Sequence, residues 1–418
     1  MRSVYSIFMI VTLAVVTSLV LPGCLKDNVT RTYKILSPVL KPKQEVIAGI
    51  KSDVPRNIGA AGKIYLYGKY IFLNEVNKGV HVIDNANPSK PVRRAFIDIP
   101  GNLDIAVKGH YLYADLFTDM ITLDISDPEN AKVVHVNSNV FPERQYGNNF
   151  SLDTSMVIIG WNEKDTTVNA ETVNGGGFGC INCLAFDAML FSSNKAGAFV
   201  PGVAGSMARF AIVQQNLYAV NMQSLMVHDI SDPSKPVAIN EKQVGWNIET
   251  IYPFKDKLFI GSGSGMFIYN ISNLADPVRE GQFNHATACD PVVADEQYAY
   301  VTLRTGQTCA GILNQLDVID VKNVLSPSLV KSYPLTNPHG LSLDGNILFV
   351  CDGNAGLKVF DVSDPSAMKM ITQLGGLNTY DAIAWNGILY LVTEKSINQY
   401  DYSNPASLKL LSGITLNR

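Results

Sequence analysis

The stretch that decides the fold is MITLDISDP, Met120 to Pro128: an apolar strand ending on Asp124, a short turn, and a proline. Proline has no N–H to donate, so it ends a ladder, while Asp and Ser side chains satisfy turn donors. The pattern returns at Asp84 to Pro88 (DNANP), Asp229 to Pro233 (DISDP), Asn270 to Pro277, Asp320 to Pro327, Asp361 to Pro365 (DVSDP) and Asp401 to Pro405 (DYSNP). The starts of these turns recur roughly every 40 to 50 residues, except between 124 and 229, where one more unit plus an insertion fits. The acidic repeats therefore read as turn chemistry rather than as ligands.

Each unit keeps one internal order, as in residues 103–136. A strand from Leu103 to Val107 leads through a turn at Gly109 to a second strand, Tyr111 to Asp115. A third runs from Met120 to Asp124, and a fourth follows Pro128. Glycine stands where the first hairpin needs positive φ, at Gly68, Gly109, Gly345 and Gly387, and again at the start of the third strand, at Gly79, Gly265 and Gly356. No segment shows helical spacing. Second strands such as Ile347 to Val350 and Ile388 to Val392 are apolar on both faces, so each small sheet needs cover on both sides. Four short strands per unit, radially repeated, predict an all-β chain: a β-propeller of four-stranded blades. The units fall at 62–98, 103–136, 148–204, 205–243, 248–285, 289–333, 338–374 and 380–416, which gives eight blades. The third is irregular, with an insertion at about 165–204 that is rich in glycine; if it supplies no complete blade, the count is seven. The segment 33–50 is a candidate to pair with the last blade and close the ring.

The third strands HVID (His81 to Asp84), LDVID (Leu316 to Asp320) and LKVFD (Leu357 to Asp361) give the chain a further likeness. So do EVNKGVHVID (Glu75 to Asp84), GSMARFAIV (Gly205 to Val213) and NPHGL (Asn337 to Leu341). In these segments the chain resembles the LVIVD-repeat family of bacterial surface and outer-membrane lipoproteins, over nearly its whole length from residue 24. The resemblance implies a propeller on a lipid anchor and brings no established chemistry with it.

The N-terminus reads as an address. Arg2 precedes an apolar run from Ile7 to Leu21, and Leu21-Pro22-Gly23-Cys24 resembles a lipobox. The run falls short of the roughly 20 apolar residues that cross hydrocarbon, and Pro22 with Gly23 breaks a helix. Residues 1–23 are expected to be a lipoprotein signal peptide. Cys24 then carries a diacylglycerol and an N-acyl chain such as palmitate, enough to hold the protein to a membrane. Residues 24–60 read as tether and lead-in, and 61–418 as the propeller. The expected place is the cell envelope, lipid-anchored at the outer membrane; Lys26 and Asp27 resemble an export signal to the outer face, and a periplasmic orientation stays open.

A net charge of -4 with 17% charged residues provides no basic field, so a nucleic-acid partner is not expected. Near the starts of the first strands stand Asp104, Arg209, Glu249, Asp290, His339 and Asp381, a predicted ring of ionisable groups around one channel mouth. Convergent polar groups in a concavity suit a cation, a sugar or a peptide terminus; equally, each can cap a loop donor. Beyond Cys24 there are five cysteines in a chain expected to be exported, where disulfides persist. Cys180 and Cys183 form a CxxC without a second CxxC or a nearby histidine, which favours a local bridge over zinc or redox chemistry. Cys289 and Cys309 can share one face of one blade, and Cys351 is left as a buried odd thiol. No nucleophile elbow or metal-type histidine spacing appears, and three tryptophans are too few for the docking motifs of quinone-dependent propellers. The expectation is a monomeric, non-catalytic binding or assembly module for an envelope protein or glycan, with no cofactor besides the lipid. The alternative is a metal-dependent, lactonase-like hydrolase that uses the ring carboxylates.

Overall fold

A computed structural model describes residues 30–144, 155–169, 202–284, 291–304 and 313–417. The chain divides into two compact units, residues 40–159 with 185–418, and residues 1–39 with 160–184. The larger unit is a β-propeller of seven blades, each built on four antiparallel strands. In blade two, for example, the strands are Ile105–Lys108, Tyr111–Leu116, Asp119–Asp124 and Lys132–Asn137, paired in that order. The smaller unit contains most of a two-stranded ribbon, Thr30–Pro42 against Met156–Asn169, with the Thr32 and Thr167 hydroxyls 3.0 Å apart.

The count is seven, not eight, and the physical reason lies in the third sequence unit. Met156–Asn169 begins with an apolar run that imitates a second strand, yet among its described side chains only Val157 and Ile158 are buried. In the stretch that follows, Trp161 to Asn169, the sequence offers only Trp161 and Val168 as apolar residues, too few for two covered faces. Gly202–Ala204, the other described strand of that unit, joins blade one along the inner edge of Ala61–Tyr67. Ser52–Asp53 joins the outer edge of the same blade beside Val92–Asp98, making it six-stranded.

One further expectation is corrected. Residues 33–50 do not pair with the last blade: they complete the ribbon and then form a short helix, Lys43–Gly49, which buries Val46. One buried residue leaves no apolar periodicity to read. The ring closes elsewhere, through a parallel bridge between Ile58 and Leu416 and a 2.6 Å bond from the Asn417 amide to the Ile58 carbonyl. Across the same seam the amides of Asn85 and Gln399 exchange bonds of 3.0 and 2.7 Å, and the Ser412 hydroxyl donates to the Pro88 carbonyl.

Inner strands are buried on both faces, as Ile388–Thr393 is almost throughout, while outermost strands such as Ser328–Pro334 are largely exposed. Tyr113, Tyr218 and Tyr300 are fully buried between blades. Each side chain of this size contributes about 2 kcal/mol through burial alone.

The Asp-to-Pro turns have the expected structural role, and they are doubly built. The first residue accepts from the amide two positions on in every blade: Asp84 from Ala86, Asp124 from Ser126, Asp229 from Ser231, Asn270 from Ser272, Asp320 from Lys322, Asp361 from Ser363 and Asp401 from Ser403. The residue before the proline repeats the device in short turns, as when Asp127 accepts from Glu129 and Asp364 from Ser366. These turns also join neighbours. The Tyr113 hydroxyl donates to the carbonyl of Pro233 in the next blade, and Tyr333 donates to that of Pro365.

Candidate site at the channel mouth

The first strands line the central channel and begin on the face where fourth-to-first and second-to-third loops gather. In six of the seven blades the first hairpin turns on a residue of positive φ: Gly68, Gly109, Gln214, Lys255, Gly345 and Asn386. Counting back the same distance from each turn aligns Lys63, Asp104, Arg209, Thr250, Gly340 and Asp381 around the channel. Of the predicted ring, Asp104, Arg209 and Asp381 occupy this position. Glu249 and His339 stand one residue upstream; in the Glu249 blade the strand register shifts between Ile248 and Thr250. Asp290 lies outside the described residues, as do Cys24, Cys180, Cys183, Cys289 and Cys309. Cys351 is an unpaired, buried thiol.

The ring does not surround an open bore. Residues 204–208, which carry the chain from the extra inner strand to blade three, are buried. Lys63 of blade one donates to the Met207 carbonyl at 2.9 Å, and Ile251 of blade four donates its amide to the Ala208 carbonyl at 2.8 Å. The Ser206 hydroxyl accepts from the Leu341 amide of blade six at 2.8 Å and lies 3.5 Å from an Asp381 carboxylate oxygen of blade seven. A segment that touches blades on opposite sides at once fills the centre, and it plugs the channel below the mouth.

Asp104 clamps this plug. Its Oδ2 accepts from Lys63 Nζ at 2.8 Å and from the Arg209 amide at 2.5 Å, while Oδ1 accepts from the Ile105 amide. Burial drives the Lys63 amine down to about 8, partly offset by the Asp104 charge. Beside it Asp115 accepts from the amides of Leu103 and Asp104 and from Asn102, and pairs with Arg144.

Above the plug, Glu249 is a carboxyl raised by burial, an effect opposed by the nearby charges of Arg209, Arg304 and Lys63. Arg304 follows directly on the second strand of blade five, Tyr298–Leu303. In the same strand the Thr302 hydroxyl holds the His339 carbonyl at 2.7 Å. The loop carrying His339 is fixed from below by Asp352, which accepts from the amides of Thr336 and Asn337 and pairs with Lys358 at 2.7 Å. Burial, then the Arg304 charge, push His339 down to about 3, so its ring is neutral. Nε2 lies 3.3 Å from the Asn337 amide nitrogen, and Nδ1 is buried without a partner among the described residues. With Asn337 donating to Nε2, Nδ1 carries the proton and is an unused donor.

Sequence reasoning missed Lys63, although its distance from Gly68 equals that of Asp104 from Gly109. Arg304 and Ser206 had no such signal: one follows a second strand, and the other belongs to an irregular segment.

With this geometry in place, comparison with known proteins is informative. The LVIVD repeat is found at residues 58–94, 102–134, 215–241 and 338–374. The chain carries LVIVD repeats. They fall in blades one, two, three and six, and each match covers most of one blade and includes its Asp-to-Pro turn. No curated protein matches the sequence. Among solved structures, a Lactobacillus plantarum protein aligns at 12% identity with a TM-score of 0.53, covering 85% of this chain and 97% of its own. The computationally designed Ika8 protein aligns at 9% identity and a TM-score of 0.50, covering 87% of this chain and 90% of its own. Sqt1 of Saccharomyces cerevisiae aligns at 8% identity and a TM-score of 0.50, covering 88% and 87% respectively. At such identities the likeness of this LVIVD-repeat chain to them is one of fold alone.

Proposed function

We propose that the protein is a non-catalytic binding or assembly module, tethered to the cell envelope through a lipidated Cys24, that holds a protein or glycan partner on its mouth face as a monomer. The observation that carries this reading is the plug. With residues 204–208 filling the centre, the mouth is a cup rather than a conduit. Its remaining polar groups, Arg209, Glu249, Arg304 and His339, converge from four blades and suit orientation of a partner.

A metal-dependent hydrolase on the same ring needs carboxylate edges free for coordination. Asp104 has both oxygens engaged, and among the described residues no three His, Cys, Asp or Glu side chains gather. The geometry therefore favours binding.

Affinity capture from cells tests the reading. Wild-type protein should retain a partner that the double substitution Arg209→Ala with Arg304→Ala loses, at an unchanged thermal midpoint; retention by the double variant would defeat it. Cys24→Ala should abolish incorporation of labelled palmitate and release the protein from the membrane fraction.

A further inference from the structure

Trp246 is 57% exposed and stands three residues before Glu249, on the loop that enters blade four at the mouth face. That loop is pinned on both sides of the indole: the Val244 amide donates to the Gln223 carbonyl at 2.9 Å and the Ile248 amide to that of Met222 at 3.1 Å. Between them Asn247 adopts a φ of 52° and its amide holds a Glu249 oxygen at 3.0 Å. An exposed aromatic on a fixed loop is a preformed platform for a partner with one apolar and one polar side.

The charged groups around Glu249, three residues further on, are of mixed sign. Among the described residues, Arg209 and Arg304 make no side-chain hydrogen bond and the buried His339 Nδ1 has no acceptor. Guanidinium groups match a carboxylate bidentately. On the other side Glu249 and Glu143 present acceptors, and the buried Glu143 Oε1 has no donor among the described residues. A bare carboxylate would use only the donors. A ring of hydroxyls that also bears a carboxylate uses both sets, and its C–H face fits an indole.

Resting on the binding reading above, we infer that the mouth takes a carboxylated sugar residue of an acidic glycan. The pyranose stacks on Trp246 and its carboxylate faces Arg209 and Arg304. Glu249, Glu143 and His339 meet the hydroxyls.

Titration calorimetry on the full chain tests this with oligogalacturonate, oligoglucuronate and a sialylated oligosaccharide, each beside its carboxyl-reduced form, and with an acidic peptide. At least one acidic sugar should bind, and carboxyl reduction should weaken it by about tenfold or more. Trp246→Ala and Arg304→Gln should each weaken it by about tenfold. Trp161→Ala, at a tryptophan 39% exposed on the ribbon, should leave it unchanged. Failure of all three sugars to bind, equal affinity for a reduced form, or indifference to Trp246→Ala would overturn the assignment. If the acidic peptide alone binds, and does so through Arg304, the sugar is wrong while the mouth reading stands. Capture of a partner regardless of Arg209 and Arg304 would remove both.

Discussion

The two faces of the propeller are built from the same polar side chains and use them in opposite ways. On the turn face one solution is repeated in every blade, with a carboxylate or amide accepting from the amide two residues on. Those donors hold Asp84 and Asp124 below the usual carboxylate range. On the mouth face, structurally equivalent positions carry Lys63, Asp104, Arg209, Thr250, Gly340 and Asp381. Identity kept from blade to blade marks the scaffold. Divergence at one backbone position marks the place where a single object, plug or partner, is gripped from several sides.

That contrast predicts an order of sensitivity. The largest effect belongs to Asp104→Ala, which leaves Lys63 buried without its partner and should cost about 3–5 kcal/mol in urea unfolding. Replacing both residues together, Lys63→Met with Asp104→Leu, should recover much of that loss. Next is Gly356→Ala. At a φ of +87° a Cβ would approach the Leu374 carbonyl oxygen to 2.0 Å, so a loss of about 2 kcal/mol is expected in the same measurement. Asn270→Ala removes one turn acceptor of seven and should cost about 1 kcal/mol, with no change in partner capture. The effect that is smallest at neutral pH, and grows only in acid, is a slope in pH. His228, pushed down to about 4 by burial, stays neutral in the folded chain while its unfolded counterpart takes up a proton below its ordinary value of 6.5. Its contribution is therefore fully present above 6.5 and fades as pH falls toward 4. His228→Asn should flatten unfolding free energy between those values, and an unchanged slope would show the burial to be relieved in solution.

Much of this is legible in the amino-acid sequence. The turn residues announce themselves because one local bond must be made in every unit, so a single residue type recurs at a fixed place. The positive-φ glycines are legible for the same reason: Gly79, Gly265 and Gly356 each stand where the third strand opens. The blade count was not legible, since Met156 to Ile159 has the apolar run of a second strand and only three-dimensional neighbours distinguish ribbon from blade. Nor was the plug. Ser206 and Met207 act through a backbone carbonyl and one hydroxyl, and those demands leave no periodic trace. Half of the mouth was visible as charge near strand starts, whereas Arg304 and Trp246 reach it from loops and strand ends that the repeat does not constrain.

The plug also imposes an order of assembly. Ser206 precedes Leu341, the residue whose amide it receives, by 135 positions, and Asp381 by 175. As the chain emerges from a ribosome or a translocon, the core of the wheel is made while five of its seven spokes are still to come. The last blades therefore close around a mandrel already in place, and the seam between Ile58 and Leu416 is the final joint to be sealed.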